Sequence, residues 1–339
     1  MGTKPTTLRA MSVSSYFFMM FVMSCTPAPG GRAVFEDQLR VAAVFATPID
    51  EPWDRAIHAA LEMAEDSLEI EYEWTDAVTA SAYERVLTDY AEEGYHIIIG
   101  DAFAAEEIAR RVALRYPDIA FVFGSGLGPA EPNFSVFDNW IHEPAYLAGL
   151  MAGHLTRSGV VGVVGGYPVP EVNRILNAFL AGAREVNPEI RSRIAFINSW
   201  FDPAAAHEVA RAMIQEGVDV LYAERDGVIE AAAEEDIIAF GNLIDQRSKA
   251  PDHVVTSVIW NMWPTIEQVI ERVRSGTYRA EDYGGWSMLS KGGASLAPFG
   301  AWEERLGKEL VDLIAERTAD ILGGRFRVVV DESVPLSTN

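Results

Sequence analysis

A single cysteine, Cys25, occurs in 339 residues, so no disulfide can form within the chain. Cationic residues are also scarce: 27 Lys and Arg stand against 50 Asp and Glu, for a formal charge of −23. Such a surface repels phosphate backbones and anionic headgroups. This excludes nucleic-acid binding through a basic face and leaves any anionic ligand dependent on a local basic pocket. Of the six histidines (His58, His96, His142, His154, His207 and His253), no two lie at the i, i+4 spacing of a helical zinc site. No G-x-S-x-G elbow and no G-x-x-x-x-G-K-[ST] loop occurs, which argues against a common hydrolase arrangement and a nucleoside-triphosphate site. Gly124, Gly126 and Gly128 follow an apolar run, but Pro129 and Pro132 stand where a dinucleotide site needs a helix start. Gly162, Gly165 and Gly166 are interrupted in the same way by Pro168 and Pro170, so both segments read as tight turns. The inventory predicts no catalytic residue, no metal and no cofactor.

The chain also contains much that is informative. An apolar fraction of 49% supports a sizeable core, and the length suggests about two domains. Lys4 and Arg9 precede a mostly apolar stretch from Met11 to Met23. That stretch is shorter than the ~20 residues needed to cross a bilayer and has the length of a signal peptide. It ends in Val22-Met23-Ser24-Cys25, which resembles the lipobox of bacterial lipoproteins, with Cys25 as the acylated first mature residue. An ordinary signal peptide with an incidental cysteine is the alternative. Pro27, Pro29, Gly30 and Gly31 then read as a tether. The expected organisation is a signal peptide over 1–24, a flexible tether over 25–37, a first lobe over 38–142 and a second over 143–258. A return segment over 259–339 would supply hinge and helices to both lobes. The globular part is thus expected in the cell envelope, lipid-anchored on the periplasmic or extracellular face of a membrane.

Short apolar runs at Val41–Ala46, Ile97–Ile99 and Ile119–Phe123 alternate with stretches whose apolar residues recur at helical spacing. Among the latter are Ile57, Ala60, Leu61 and Ala64, and then Tyr83, Val86, Leu87 and Tyr90. The alternation restarts at Val160–Val164 and continues through Ile194–Asn198, Val218–Tyr222, Ile237–Phe240 and Val254–Ile259. Fully apolar strands separated by helices predict parallel sheets covered on both faces. Two such units predict two α/β lobes facing across a cleft. A helix is expected over Trp302–Leu322 and an edge strand over Phe326–Asp331. In open parallel sheets, ligands bind beyond the carboxyl ends of the strands.

Aromatic residues stand at those ends: Trp53 past the first strand, Phe103 past the strand ending at Gly100, and Trp200 past Ile194–Asn198, with Trp260 and Trp286 as further candidates. Rings so placed can hold a flat, uncharged heterocycle, because stacking adds about 0.5–1.5 kcal/mol per pair beyond area burial. Asp50, Asp54, Asp101, Asp226, Asn242 and Asp245 are candidates to read the edge of such a ligand. Several of the tryptophans could instead pack under loops, and Asp54 and Asp226 could cap helices.

The stretch Asn198-Ser-Trp-Phe-Asp-Pro203, followed by a helix and Gly217-Val-Asp-Val-Leu221, resembles the basic membrane protein (BMP) family of solute-binding lipoproteins. Val254–Ile259 and Gly149-Leu-Met-Ala-Gly153 fit it as well. Gly166–Val172, Val186-Asn-Pro188, Ser287-Met288 and Ala297-Pro-Phe299 resemble the branch associated with free purine bases. The resemblance runs from about residue 40 to the C-terminus. It implies a type I periplasmic-binding fold, with two Rossmann-like lobes whose parallel sheets face a ligand cleft that closes on a purine base or nucleoside. Trp53 would stack on the base, with Trp200 and Asp226 in the second-lobe wall. Where the nucleoside binders usually carry an acid this chain has Leu243, and where they carry a lysine it has Trp260. A sugar would lose polar partners there, and buried unpaired hydroxyls cost about 1–3 kcal/mol each, so an adenine-like base is the expected ligand. The expected role is the receptor of an ABC importer, docking on a membrane permease. The alternatives are a ligand-sensing receptor for a membrane signalling partner and, further off, a nucleobase- or nucleoside-processing enzyme.

Overall fold

The structure, a computed structural model, describes residues 1–2, 38–101, 103 and 105–338. Cys25, the signal stretch and the tether expected over 25–37 lie outside the described residues.

The chain from Leu39 to Phe137 builds a five-stranded sheet from β1 (Leu39–Val44), β2 (Ile70–Thr75), β3 (Ile97–Asp101), β4 (Ala120–Gly124) and β5 (Phe134–Phe137), all parallel in the order β2-β1-β3-β4-β5. Helices α1 (Pro52–Leu68), α2 (Ala80–Glu92) and α3 (Glu106–Arg115) connect the strands. Because β1 and β3 are neighbours, the chain leaves them in opposite directions, and a crevice opens beyond their carboxyl ends. The second sheet repeats this plan. It contains β6 (Val160–Gly165), β7 (Arg191–Phe196), β8 (Val220–Ala223), β9 (Ile238–Leu243), β10 (Val254–Trp260) and β11 (Ala294–Leu296), in the order β7-β6-β8-β9-β10-β11. Only β11 is antiparallel. The corresponding switch point lies between β6 and β8.

The fully apolar strands carry the core. Ile97, Ile98 and Ile99 are all buried, since both faces of β3 are covered, and each such side chain contributes roughly 1.5–3 kcal/mol. Helix α1 is amphipathic: Ile57, Ala60, Leu61 and Ala64 face the sheet as their spacing predicts. Its N-terminus is capped by Glu51, whose carboxylate accepts from the N–H groups of Trp53 (2.8 Å) and Asp54 (3.1 Å), with Pro52 opening the first turn. Asp54 therefore does not cap this helix; its carboxylate accepts from Thr47 instead. Asp226 likewise leaves the N-cap of α7 (Val228–Glu234) to Gly227.

Helices α4 (His142–Leu155) and α5 (Pro170–Val186) pack backbone to backbone. Gly149, Gly153 and Gly182 make this possible, because a Cβ on any of them would stand 2.0–2.3 Å from a carbonyl oxygen of the facing helix. The late part of the chain serves both sheets. Helix α8 (Trp263–Arg274) lies against α1, and α10 (Lys308–Leu322) lies against α4.

Two expectations need correction. The helix expected over 302–322 is broken into α9 (Trp302–Leu306) and α10 at Gly307, whose φ of 76° ends the first helix. The segment Phe326–Asp331 is not an edge strand; it is irregular, with Phe326 stacked on Tyr146 of α4 and Asp331 meeting Asn177 of α5. Asn177 Nδ2 donates to the carbonyls of Asp331 (2.9 Å) and Ser333 (2.8 Å), and Ser192 exchanges hydrogen bonds with Thr338. Side-chain amides and hydroxyls satisfy this backbone where a ladder would otherwise be needed.

Candidate functional site

The crevices of the two sheets face each other, and strand exits from both line the space between them. The first sheet contributes Thr47, Glu51, Trp53 and Asp54 after β1, Asp101 at the end of β3 and Phe103 beyond it, and Ser125 after β4. The second contributes Glu171 at the start of α5, Trp200 after β7 and Arg225 after β8.

Five sequence candidates meet here: Trp53, Asp54, Asp101, Phe103 and Trp200. Trp53 lies over Gly124, where an added Cβ would stand 2.1 Å from the indole, and stacks on Phe137 with ring centroids 5.8 Å apart. Phe103 is 46% exposed. It meets Trp200 edge-on at 4.9 Å and Tyr167 at 5.7 Å, so an aromatic contact bridges the lobes. The Trp200 indole N–H is buried without a protein hydrogen-bond partner.

The other candidates lie elsewhere. Asp50 is on the outside, paired with Arg55 at 3.1 Å. Asp226 accepts from Gln246 and Lys249, both at 2.9 Å, and Asp245 accepts from Arg247. Asn242 is buried inside the second lobe and accepts from the Tyr222 hydroxyl at 2.7 Å. Trp260 packs behind Trp53 at 5.1 Å and spends its indole N–H on Ser287 Oγ. Trp286 lies under Lys291 against the core.

The polar part of the site was not anticipated. Arg225, 5% exposed, reaches across the cleft: Nη1 donates to Glu51 Oε1 of the first lobe (3.1 Å) and to the Trp200 carbonyl (2.6 Å). Its Nε and Nη2 bind the carboxylate of Glu224 at 3.0 and 2.7 Å. A second bridge joins Ser125 Oγ to Glu171 Oε2 at 2.6 Å. The available signal was acid–base–acid at Glu224, Arg225 and Asp226, directly after an apolar strand.

Burial dominates the electrostatics. It pushes Glu51 up to about 7 against the opposing pull of Arg225 and two backbone N–H groups, and pushes Asp101 up to about 6. Glu171 rises to about 8, from burial first and then from Asp138, with Arg174 working the other way. Asp54 is raised well above its ordinary value by burial and by the like charges of Glu51 and Asp101. Burial also raises Glu224. The same burial opposes the charge on Arg225, but Glu224 and Glu51 outweigh it and hold the guanidinium protonated. The space that water can occupy between these walls is about 30 Å³, room for no more than a few water molecules. A solute of ring size therefore enters only when the lobes part or Phe103 swings aside.

Comparison with known proteins agrees with this arrangement. Residues 39–286 match the family described as PnrA-like ABC transporter substrate-binding proteins. A purine-binding protein of Brucella abortus is 31% identical over 277 residues, covering 80% of this chain and 78% of its own length. A putative ABC transporter glucose-binding protein of Haloferax volcanii is 30% identical over 303 residues, 88% of this chain and 76% of its own. Among solved structures, an ABC transporter solute-binding protein from Aeropyrum pernix superposes with a TM-score of 0.74 at 18% identity, over 86% of this chain and 94% of its own.

Proposed function

The chain belongs to the PnrA-like substrate-binding proteins of ABC transporters, and we propose that it captures a purine base by closing its two lobes and delivers it to a membrane permease. The observation that carries this reading is the convergence of Trp53, Phe103 and Trp200 from strand exits of both lobes on one space edged by carboxyl groups. Rings hold the faces of a heterocycle, while carboxyls accept from its amino and ring N–H groups. The unpartnered indole N–H of Trp200 is a donor for a ring nitrogen. The family consists of binding proteins rather than enzymes, and the role assigned here is closure without chemistry, as in hinge-closing receptors generally.

A free base fits better than a nucleoside. Leu243 and Trp260 are both buried in the core, and the one polar atom of Trp260 is already committed to Ser287. Neither offers a partner to ribose hydroxyls. Titration calorimetry of solute-stripped protein with adenine, guanine, hypoxanthine, adenosine, guanosine, ribose and glucose tests this. One-to-one binding of a base at least tenfold tighter than its nucleoside is expected. Nucleoside binding as tight as the base would overturn the base preference, and silence toward all purines would overturn the purine reading. A second reading, a hexose as solute, draws on the name of the Haloferax relative and on acid-rich, ring-lined walls that also suit a pyranose; the glucose titration decides it. Trp200→Ala is expected to weaken base binding about tenfold or more, the equivalent of one lost stacking partner, with the same calorimeter as readout.

Anchoring through an acylated Cys25 is part of the same proposal and rests on the lipobox-like stretch before it. No helix among the described residues is long and apolar enough to cross a membrane.

A further inference from the structure

The cleft holds Glu51, Asp54 and Asp101 from the first lobe and Glu171 from the second in one space with Arg225, which also pairs with Glu224. Every nitrogen of that guanidinium is engaged, by Glu51, Glu224 and the Trp200 carbonyl. No other cationic side chain lines this space among the described residues. Were all five carboxyls ionised, one guanidinium would face them in a cleft with room for no more than a few water molecules. Burying unpaired carboxylates costs far more than keeping protons on some of them. Once the lobes part, the groups on the cleft wall meet water, and their usual acidity returns.

We propose that closure of this protein is proton-coupled: bringing the lobes together loads protons onto Glu51, Asp101 and Glu171, and the closed cleft thereby admits uncharged or cationic solutes and refuses phosphorylated or carboxylate-bearing ones. It rests on the purine reading only for the choice of probe solutes. The refusal follows from the donor accounting, since an incoming anion finds no free cation and meets an excess of carboxyls.

The charged neighbours of each group agree. Glu51 faces Arg225 and Glu224 across the cleft and Asp54 on its own helix. Asp101 faces Asp54 and accepts from the Phe103 N–H at 2.8 Å. Glu171 faces Asp138 and Asp101 from the first lobe and Arg174 on its own helix, but Arg174 is already held by Asp138 at 2.7 Å and Glu332 at 3.4 Å. Burial pushes Glu51, Asp101 and Glu171 up to about 7, 6 and 8, above the usual carboxylate range. A carboxyl whose closed-form pKa exceeds its open-form value makes the closed form bind more protons. The closed form is therefore favoured as pH falls and lost as pH rises through about 6 to 8. Below about 4 both forms are protonated and the effect disappears.

Small-angle X-ray scattering of the solute-free protein at pH 5.5, 7.0 and 8.5 measures closure without any ligand. The radius of gyration is expected to increase with pH in the wild type and to become flatter in the double variant Asp101→Asn, Glu171→Gln, whose neutral side chains mimic the protonated pair. In calorimetry, adenine affinity should fall with rising pH, by at most about tenfold per pH unit for each proton taken up, and AMP should not bind at any of these pH values. A radius of gyration independent of pH would overturn the proton coupling, whatever solute binds. AMP binding as tight as adenine would overturn the refusal of anions. If no purine binds while the scattering still shifts with pH, the purine reading fails and the coupling stands.

Discussion

Replacing Arg225 by methionine is expected to weaken solute capture a hundredfold or more while leaving each lobe folded. The side chain is 5% exposed, and its partner Glu51, 174 residues earlier, is 3% exposed. Removing the guanidinium leaves Glu224 buried without its counter-ion and the Glu51 carboxyl without its donor across the cleft, and breaking a buried pair from one side costs about 3–5 kcal/mol. At 1.4 kcal/mol per factor of ten, this is two to more than three orders of magnitude in affinity. The Glu51 share of the loss falls on closure, because the Glu51–Arg225 contact joins the two lobes. Calorimetry gives the affinity, and a thermal melt of the solute-free variant separates closure from folding. The double variant Arg225→Met, Glu51→Gln should regain part of the affinity at pH values where Glu51 ionises, since a neutral amide leaves no uncompensated charge at that position. A loss of less than threefold in the single variant would mean that the bridge does not persist around the solute.

Gly149→Ala carries the second large effect, and even its sign is informative. In an exposed helix this change gains about 0.5–1 kcal/mol from backbone entropy. Here the new Cβ would lie 2.0 Å from the Phe179 carbonyl oxygen, with further backbone at 2.8 Å and 3.0 Å. A flexible side chain could move away, but a helix backbone cannot without lifting α5 from α4. The expected cost is about 3 kcal/mol, at the upper end for overpacking. At about 2–4 °C per kcal/mol for a large domain, the melting temperature should fall by roughly 6–12 °C, as read by differential scanning calorimetry. Helix propensity predicts the opposite direction, so a raised melting temperature would show that the two helices do not pack this tightly.

Much of the fold was legible because parallel strands covered on both faces must be apolar throughout. Val160–Val164, Ile97–Ile99 and Val254–Ile259 therefore stood out. Where the rule is broken the signal failed: β2 alternates Ile70, Tyr72 and Trp74 with glutamates at the sheet edge and was missed, and β7, expected from Ile194, starts earlier, at Arg191. The late edge strand failed for a related reason. Phe326–Asp331 has strand-like composition, but the chain at its end meets Asn173 and Asn177 on a helix, which bind the carbonyls of Asp331, Glu332 and Ser333 singly.

The same division runs through the site. That Trp53, Asp54, Asp101, Phe103 and Trp200 share one space follows from chain order alone, because each comes at or just after the carboxyl end of a strand, and strand order in such sheets directs those exits into a common crevice. Only the tertiary structure could separate them from Asp50, Asp226, Asn242, Trp260 and Trp286. Whether a polar side chain at an exit turns to the cleft, to a neighbouring lysine or into its own lobe depends on partners far along the chain. Arg225, Glu51, Glu171 and Glu224 show the limit most clearly. Read locally, each is a charged residue after an apolar strand or at a helix start, where water normally solvates it. They become a buried network only because a second lobe, built by another stretch of chain, covers them. Burial of charge is a property of the assembled pair of lobes, so periodicity and spacing along the chain could determine where the cleft would be but not the electrostatics inside it.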